Sequence, residues 1–407
     1  MKVVLRPLKD TPQGFYLLLG GFAVMLALGL GAVGYIEHYG HIVTGMNNQI
    51  VWGLPHVFAV FLVVAASGAL NIASMSSVFG KSEFKPLAPL SALLAIALLI
   101  GGLMVLMLDL GRPDRLIIAM TYFNFKSIFA MNIFLYSGFV GFVVAYLWTM
   151  MERRMNRFTP LAGFMAFIWR MALTTGTGSI FGFLVARQAY DSALLAPLFI
   201  ALSLSYGLAV FIWVLMLASK GSARPLGDVL MARLARLQVI FIAAGFYFVL
   251  VYHLTNMYFT KHHDFERFIL LDGGIYTAMF WLGQVALGTA LPLALLLAPG
   301  IGALRNRIAA SAGLVILGGF AQMYVTIIGG QAFGLVLFPG YEVSSSFFDG
   351  VTASYSPSVP ELLLGLGGVA VVGLIVMLAL RVMGFLPERM DDAALEMAPA
   401  QPTPAAA

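Results

Sequence analysis

The chain has 407 residues, 61% of them hydrophobic and only 10% charged, with a net charge of +5 and no cysteine. Soluble domains carry about 25% charged residues, so this composition excludes a soluble globular fold. The lack of cysteine excludes thiolate-bound iron–sulfur clusters, Cys-ligated zinc, disulfides and thiol catalysis within this chain.

Ten apolar runs follow one another, at roughly 14–35, 51–79, 87–109, 127–150, 160–186, 192–218, 237–259, 273–298, 309–330 and 359–384. Each can cross about 30 Å of hydrocarbon at about 1.5 Å per helical residue. The first has a long apolar core with no small-residue cleavage motif behind it and reads as an uncleaved anchor. The pattern predicts an all-α polytopic membrane protein of about ten helices, arranged as two four-helix bundles with one flanking helix at each end. The corresponding division is a cytoplasmic N-terminus 1–13, a first span and outer loop 14–50, a first bundle 51–190, a second bundle 191–330, an outer-face loop 331–358, a last span 359–384 and a tail 385–407. Ala, Pro and acidic residues dominate that tail, which is expected to be disordered. Small-xxx-small pairs such as Ala27–Gly31 and Gly178–Gly182 suit close helix packing.

Lys and Arg sort by alternate loops, sixteen on the side of the termini and six on the other, with Arg170 inside a span. The positive-inside bias places both termini in the cytoplasm and accounts for the net charge without a nucleic-acid partner. A bacterial cytoplasmic membrane is the expected location. Arg170 either snorkels to headgroups or faces the bundle, where backbone carbonyls or a water chain would meet it.

Polar residues concentrate at the outer ends of the early spans. Trp52-Gly53-Leu54-Pro55-His56 opens the second span, and Asp109-Leu110-Gly111-Arg112-Pro113-Asp114-Arg115 closes the third. Ionisable residues inside a membrane are functional candidates by default. His56 either bonds a neighbouring carbonyl or exchanges a proton with a bound ligand oxygen. Asp109 either clasps Arg112 or Arg115 to fix the loop or carries protons between a pocket and water; the two roles are compatible. Asn48 precedes the helix at the interface. Tyr122, Asn124 and Lys126 either line a pocket mouth or anchor the chain at the interface. His253, Asn256 and Tyr258 end the seventh span, and His56 with His253 could ligate one haem b, which would make the chain a membrane cytochrome. His262 and His263, beside Asp264 and Glu266, read as a solvated charge run. The long apolar loop 331–358 is expected either to fold over the bundle or to dock on a partner.

These stretches resemble the NrfD/PsrC family of quinone-interacting membrane subunits. The matching segments are Gly45 to His56, Lys85 to Ser91, Asp109 to Arg115, Asn124 to Ser127, Met150 to Arg154 and Phe338 to Glu361. Within the family, the ten-span branch is most similar, with DsrP-type subunits of a sulfur-metabolism complex ahead of HybB-type hydrogenase subunits. The resemblance implies a subunit without a metal cofactor that binds a quinone, menaquinone or ubiquinone, near the non-cytoplasmic face. It implies electron exchange with a periplasmic ferredoxin-like iron–sulfur subunit and, beyond it, further membrane and cytochrome subunits. His56 and Asp109 would be the reactive pair, and Asn48, Arg112, Arg115 and Tyr122 would complete the binding site. Besides the haem-b cytochrome, a secondary transporter is an alternative reading, since two bundles suit alternating access, although the polar residues crowd one face.

Overall fold

The structure is a computed structural model describing all residues except 1–3, 9–10, 223, 225, 299–303, 336–349, 390 and 393–407. Hydrocarbon offers no partner to backbone N–H and C=O groups, so long apolar segments wind into helices. Among the described residues, nine helices are long and apolar enough to span a membrane. They are α1 (Gln13–Tyr39), α2 (Leu54–Ser77), α3 (Ser82–Leu108), α4 (Ile128–Met151), α6 (Leu195–Ser222), α7 (Asp228–Tyr258), α8 (Ile275–Leu297), α9 (Leu304–Ala332) and α10 (Val359–Val382). Between α4 and α6 lies α5 (Thr159–Gly182), a helix of 24 residues whose Arg170 and threonines lower its hydropathy. Its crossing follows from the ends of the chain. Leu5–Arg6 pairs antiparallel with Leu386–Pro387, and Arg224 donates to the carbonyls of Arg6, Pro7, Leu386 and Pro387. Both termini therefore share one face, the terminal face, which requires an even number of crossings.

Helices α2, α3, α4 and α5 pack as one closed ring, and α6, α7, α8 and α9 as another; α2 and α5 meet α6 where the rings join. α1 packs against α10, which leans on α2 and α3. α2 lies at the centre and is buried along almost its whole length. Its apolar and small residues encircle the helix, as a helix without a lipid face requires. Where α2 crosses α6, a Cβ on Gly68 would strike the Ser203 carbonyl and one on Gly207 the Ala69 amide, so the two backbones touch.

The two small-xxx-small pairs fare differently. Gly178 and Gly182 do lie against the segment that starts α6. Ala27 and Gly31, however, face outward; the side of α1 that packs on α10 is that of Gly29, Ala32 and Ile36, with Gly29 against Gly367. Helical periodicity explains this: residues 29, 32 and 36 share a stripe that 27 and 31 do not. The middle of the expected outer loop and most of the tail lie outside the described residues. The flanks of that loop are tied together by Ala353 N–H to Ala332 O at 2.9 Å and Gly350 N–H to Leu335 O at 2.7 Å.

Candidate functional site

α2 begins at Leu54, capped by Gly53, with Pro55 in its first turn where a missing N–H costs little. One turn in, His56 Nδ1 lies 2.8 Å from Asp109 Oδ2, across 53 residues of sequence. Asp109 closes α3, and its carboxylate is fully buried while the His56 ring keeps 15% of its surface. His41, from the segment after α1, caps the pair from the other side. Its Nε2 lies 3.2 Å from the Asp109 carbonyl and 3.9 Å from Oδ1. Two imidazoles thus flank one carboxylate, and the outer one is 32% exposed. Gly111 turns the chain away with φ +68, a left-handed conformation suited to glycine.

Below this pair opens a cavity of about 590 Å³, within the range of small-molecule sites. Trp52 and His56 form its roof, their rings stacked with centroids 6.0 Å apart. α2 contributes Ala59, Val60 and Val63, and α3 contributes Leu103, Leu106 and Met107. The far wall is Asn132, Ile133 and Tyr136 of α4 with Thr177, Ile180 and Phe181 of α5. The short helix Leu116–Thr121 forms a rim on which no residue is buried, and Arg115 projects from its start. The lining is overwhelmingly apolar, with one histidine and one arginine. Such a lining would suit a flat, greasy molecule that has a polar edge and can exchange a proton.

The roof is braced by long-range bonds. Gln331 Oε1 accepts from Val51 and Trp52 N–H, both at 3.0 Å, and its Nε2 donates to Trp52 O. Arg187 donates to Gln49 O and Gln331 O. Leu54 N–H donates to Tyr355 Oη at 2.6 Å, and that hydroxyl donates to the buried Glu361 at 2.7 Å. Burial first, and the Glu361 carboxylate next, push the Tyr355 phenol upward, so it stays a donor. A Cβ on Gly53 would collide with Glu361 Oε1 and the Tyr355 hydroxyl.

His56 and Arg115 therefore line the cavity, with Asp109 behind His56, whereas Asn48, Arg112 and Tyr122 do not line it. Arg112 binds Asp114 instead, at 2.9 and 3.0 Å, and its hydrogen bonds hold that carboxyl below the usual carboxylate range. Tyr122 is 86% exposed, and Asn124 caps its own loop through Lys126 N–H. Arg170 faces the bundle, donating to Ser67 O and Asn71 Oδ1 over the Phe167 ring. His253 belongs to the other ring of helices and bonds Glu266 at 2.7 Å; His56 and His253 line separate cavities. The expected solvated run also divides. His262 and Glu266 are buried, because Asn256 and His253 of α7 supply the bonds that a buried carboxylate needs. His41 escaped the sequence reading, since a lone loop histidine carries no spacing signal. Asn132, polar within an apolar span, was the visible hint of the far wall.

A family model described as "Polysulphide reductase, NrfD" matches residues 42–335, from His41's neighbour through the end of α9. The chain belongs to the NrfD family. It is 29% identical over 399 residues to the Hdr-like menaquinol oxidoreductase integral membrane subunit of Archaeoglobus fulgidus, covering 97% of this chain and all of that one. It is 23% identical to the C subunit of selenate reductase from Mesobacillus selenatarsenatis, over 92% of this chain and 96% of the relative. With the C chain of polysulfide reductase from Wolinella succinogenes it shares 25% identity over 74% of this chain and 98% of the relative. In this NrfD subunit the matched region contains His56, Asp109 and all of both helical rings, while α1 and α10 lie outside it.

Proposed function

We propose that this protein is the quinone-reactive membrane subunit of a multi-subunit redox complex. It exchanges electrons between the membrane quinone pool and an extrinsic iron–sulfur subunit. One observation carries the reading: His56, bonded to the buried Asp109 behind it, roofs an apolar cavity of about 590 Å³. A quinol brings a flat apolar body and two hydroxyls. Its oxidation releases two protons and two electrons, and the protons need an acceptor at the cavity. With Nδ1 held by Asp109, His56 presents Nε2 as that acceptor. Asp109 stabilises the charge the ring gains, and the proton leaves by way of the part-exposed His41. Quinone reduction uses the same groups in reverse. Arg115 at the rim steers the polar edge.

The name of the Archaeoglobus relative supports menaquinol, and that of the Wolinella relative supports sulfur chemistry, as in DsrP-type complexes. The partner is proposed to be a periplasmic ferredoxin-like protein, docked on the face that carries His56. The sixteen-to-six distribution of Lys and Arg supports termini in the cytoplasm of a bacterial cell. The test is His56→Ala in the purified complex with a menaquinol analogue. General acid–base groups contribute roughly 10²–10⁴-fold, so electron transfer from quinol should fall by at least about 100-fold with subunit composition unchanged. Unaltered turnover would reject the assignment.

A further inference from the structure

Arg170 is a buried cation that the chemistry at His56 does not use. Only 2% of it is exposed. Its guanidinium donates to Ser67 O at 3.2 Å and to Asn71 Oδ1 at 3.1 Å, and its Nε has no partner among the described residues. Both acceptors are neutral. The helices packed on α5 are α2, α4 and α6. α2 and α4 contain no Asp, Glu, Lys or Arg, and the one such residue of α6 is Lys220, exposed at its far end. Their titratable groups are His56, Tyr136, Tyr146 and Tyr206, and Arg153, Arg154 and Arg157 of the segment before α5 are exposed. No carboxylate therefore answers Arg170. A guanidinium does not shed its proton in proteins, and a charge inside a membrane is costly enough to mark function.

α2 supplies partial compensation. It is wound in two pieces, Leu54–Ala69 and Asn71–Ser77, which meet at Leu70. Side chains take backbone groups around the break. Ser91 Oγ donates to Ala69 O and accepts from Ala73 N–H, and Arg170 takes Ser67 O. The end of the upper piece thus offers the guanidinium the negative pole of a helix, equivalent to about half a charge. The remainder is not neutralised.

This charge sits beneath the His56 cavity. Val63 lines the cavity, and Ser67 lies one turn below it, about 6 Å along α2. Thr177 also lines it, and Arg170 lies two turns below that residue, about 10 Å along α5. His56, in the roof, is about 16 Å above Ser67. A ring bound under His56 is then roughly 10–15 Å from the guanidinium. At an effective dielectric of about 20, one unit charge at that distance alters the stability of an anion by roughly 5- to 15-fold.

We propose that Arg170 makes the His56 cavity selective for an anionic ring, its fixed charge beneath the floor favouring deprotonated quinol over the neutral quinol and quinone. The inference rests on the cavity being a quinone site. A quinol that gives one proton to His56 leaves a ring with a single negative charge. That anion loses two electrons to the extrinsic iron–sulfur partner together with its second proton, and becomes neutral quinone. Arg170 stabilises the charged species between two neutral ones, so it retains neither substrate nor product.

The test compares two ring probes on the purified full-length protein by calorimetry. Lawsone, a hydroxynaphthoquinone, is an anion at neutral pH; menadione, a methylnaphthoquinone, is neutral. Arg170→Met should weaken lawsone by roughly 5- to 15-fold and leave menadione within about twofold. Arg170→Lys should keep the wild-type ratio. Asn71→Asp leaves Arg170 in place but pairs it with a carboxylate, so it should weaken lawsone alone by a similar factor; it decides the matter if Arg170→Met fails to fold. Equal losses of both probes in Arg170→Met, which a merely structural arginine would give, or an unchanged ratio in Asn71→Asp, overturn the proposal while the quinone site stands. If wild type binds neither probe, or His56→Ala binds both as wild type does, the reading of the cavity fails and the role of Arg170 fails with it.

Discussion

Asp109→Asn isolates the electrostatic part of the proposed chemistry. Asn has the shape of Asp and can still accept a hydrogen bond from His56 Nδ1, so the ring need not move. What disappears is a full negative charge, buried and 2.8 Å from the imidazole. Opposite unit charges about 4 Å apart attract by about 4 kcal/mol at an effective dielectric of about 20. If half of the proton's charge has reached the ring at the transition state, the variant loses about 2 kcal/mol, on the order of 30-fold in rate. Stopped-flow reduction of the complex's iron–sulfur centres by a quinol analogue measures that step directly. The Michaelis constant should change little, because the carboxylate faces His56 and not the cavity. A rate within twofold of wild type, in a complex of normal composition, would refute the view that Asp109 acts by charging His56.

Arg115→Ala should weaken quinol binding, seen as a higher Michaelis constant in steady-state assays, whereas Arg112→Ala should leave it unchanged because Arg112 is bound to Asp114 outside the cavity. Gly53→Ala forces a methyl group onto Glu361 and Tyr355; overpacking costs about 1–3 kcal/mol, and a thermal melt of the purified subunit should show the loss together with weaker quinol turnover. Burial lowers the pKa of His262 from its ordinary value of 6.5. The folded state therefore holds it neutral, and its contribution is complete above pH 6.5 and lost as pH falls below that value toward the folded pKa. The melting temperature should drop on acidification through this window, and less steeply in His262→Gln.

The architecture was largely legible because hydropathy and loop charge report on the solvent directly. Ten apolar runs with alternating Lys and Arg are enough to count crossings, even though α5 carries a buried guanidinium. His56 and Asp109 could be placed at the same face from the run boundaries alone. Their contact could not, because it depends on how α2 and α3 are rotated about their axes, and these helices are apolar on all sides. The same deficiency hid the packing face of α1, where Gly29 and not Gly31 meets α10. The Asp264–Glu266 stretch shows a different limit. Charged residues normally mean water, and only the tertiary donors Asn256 and His253 reveal that Glu266 is interior. Arg112 shows a third: a nearby loop carboxylate, Asp114, outcompeted the more distant Asp109 for its guanidinium.

Glu361 and Tyr355 hold the first turn of α2, yet they are made about 300 residues after it. During synthesis, seven further helices, α3 to α9, follow α2 before the last one supplies that brace. A nascent polypeptide stalled short of α10 would own both imidazoles and the carboxylate, but not the latch that fixes Leu54 and Gly45 beside them. Competence of the pocket is thereby tied to completion of the polypeptide, and a truncated product would be inactive before it was visibly misfolded.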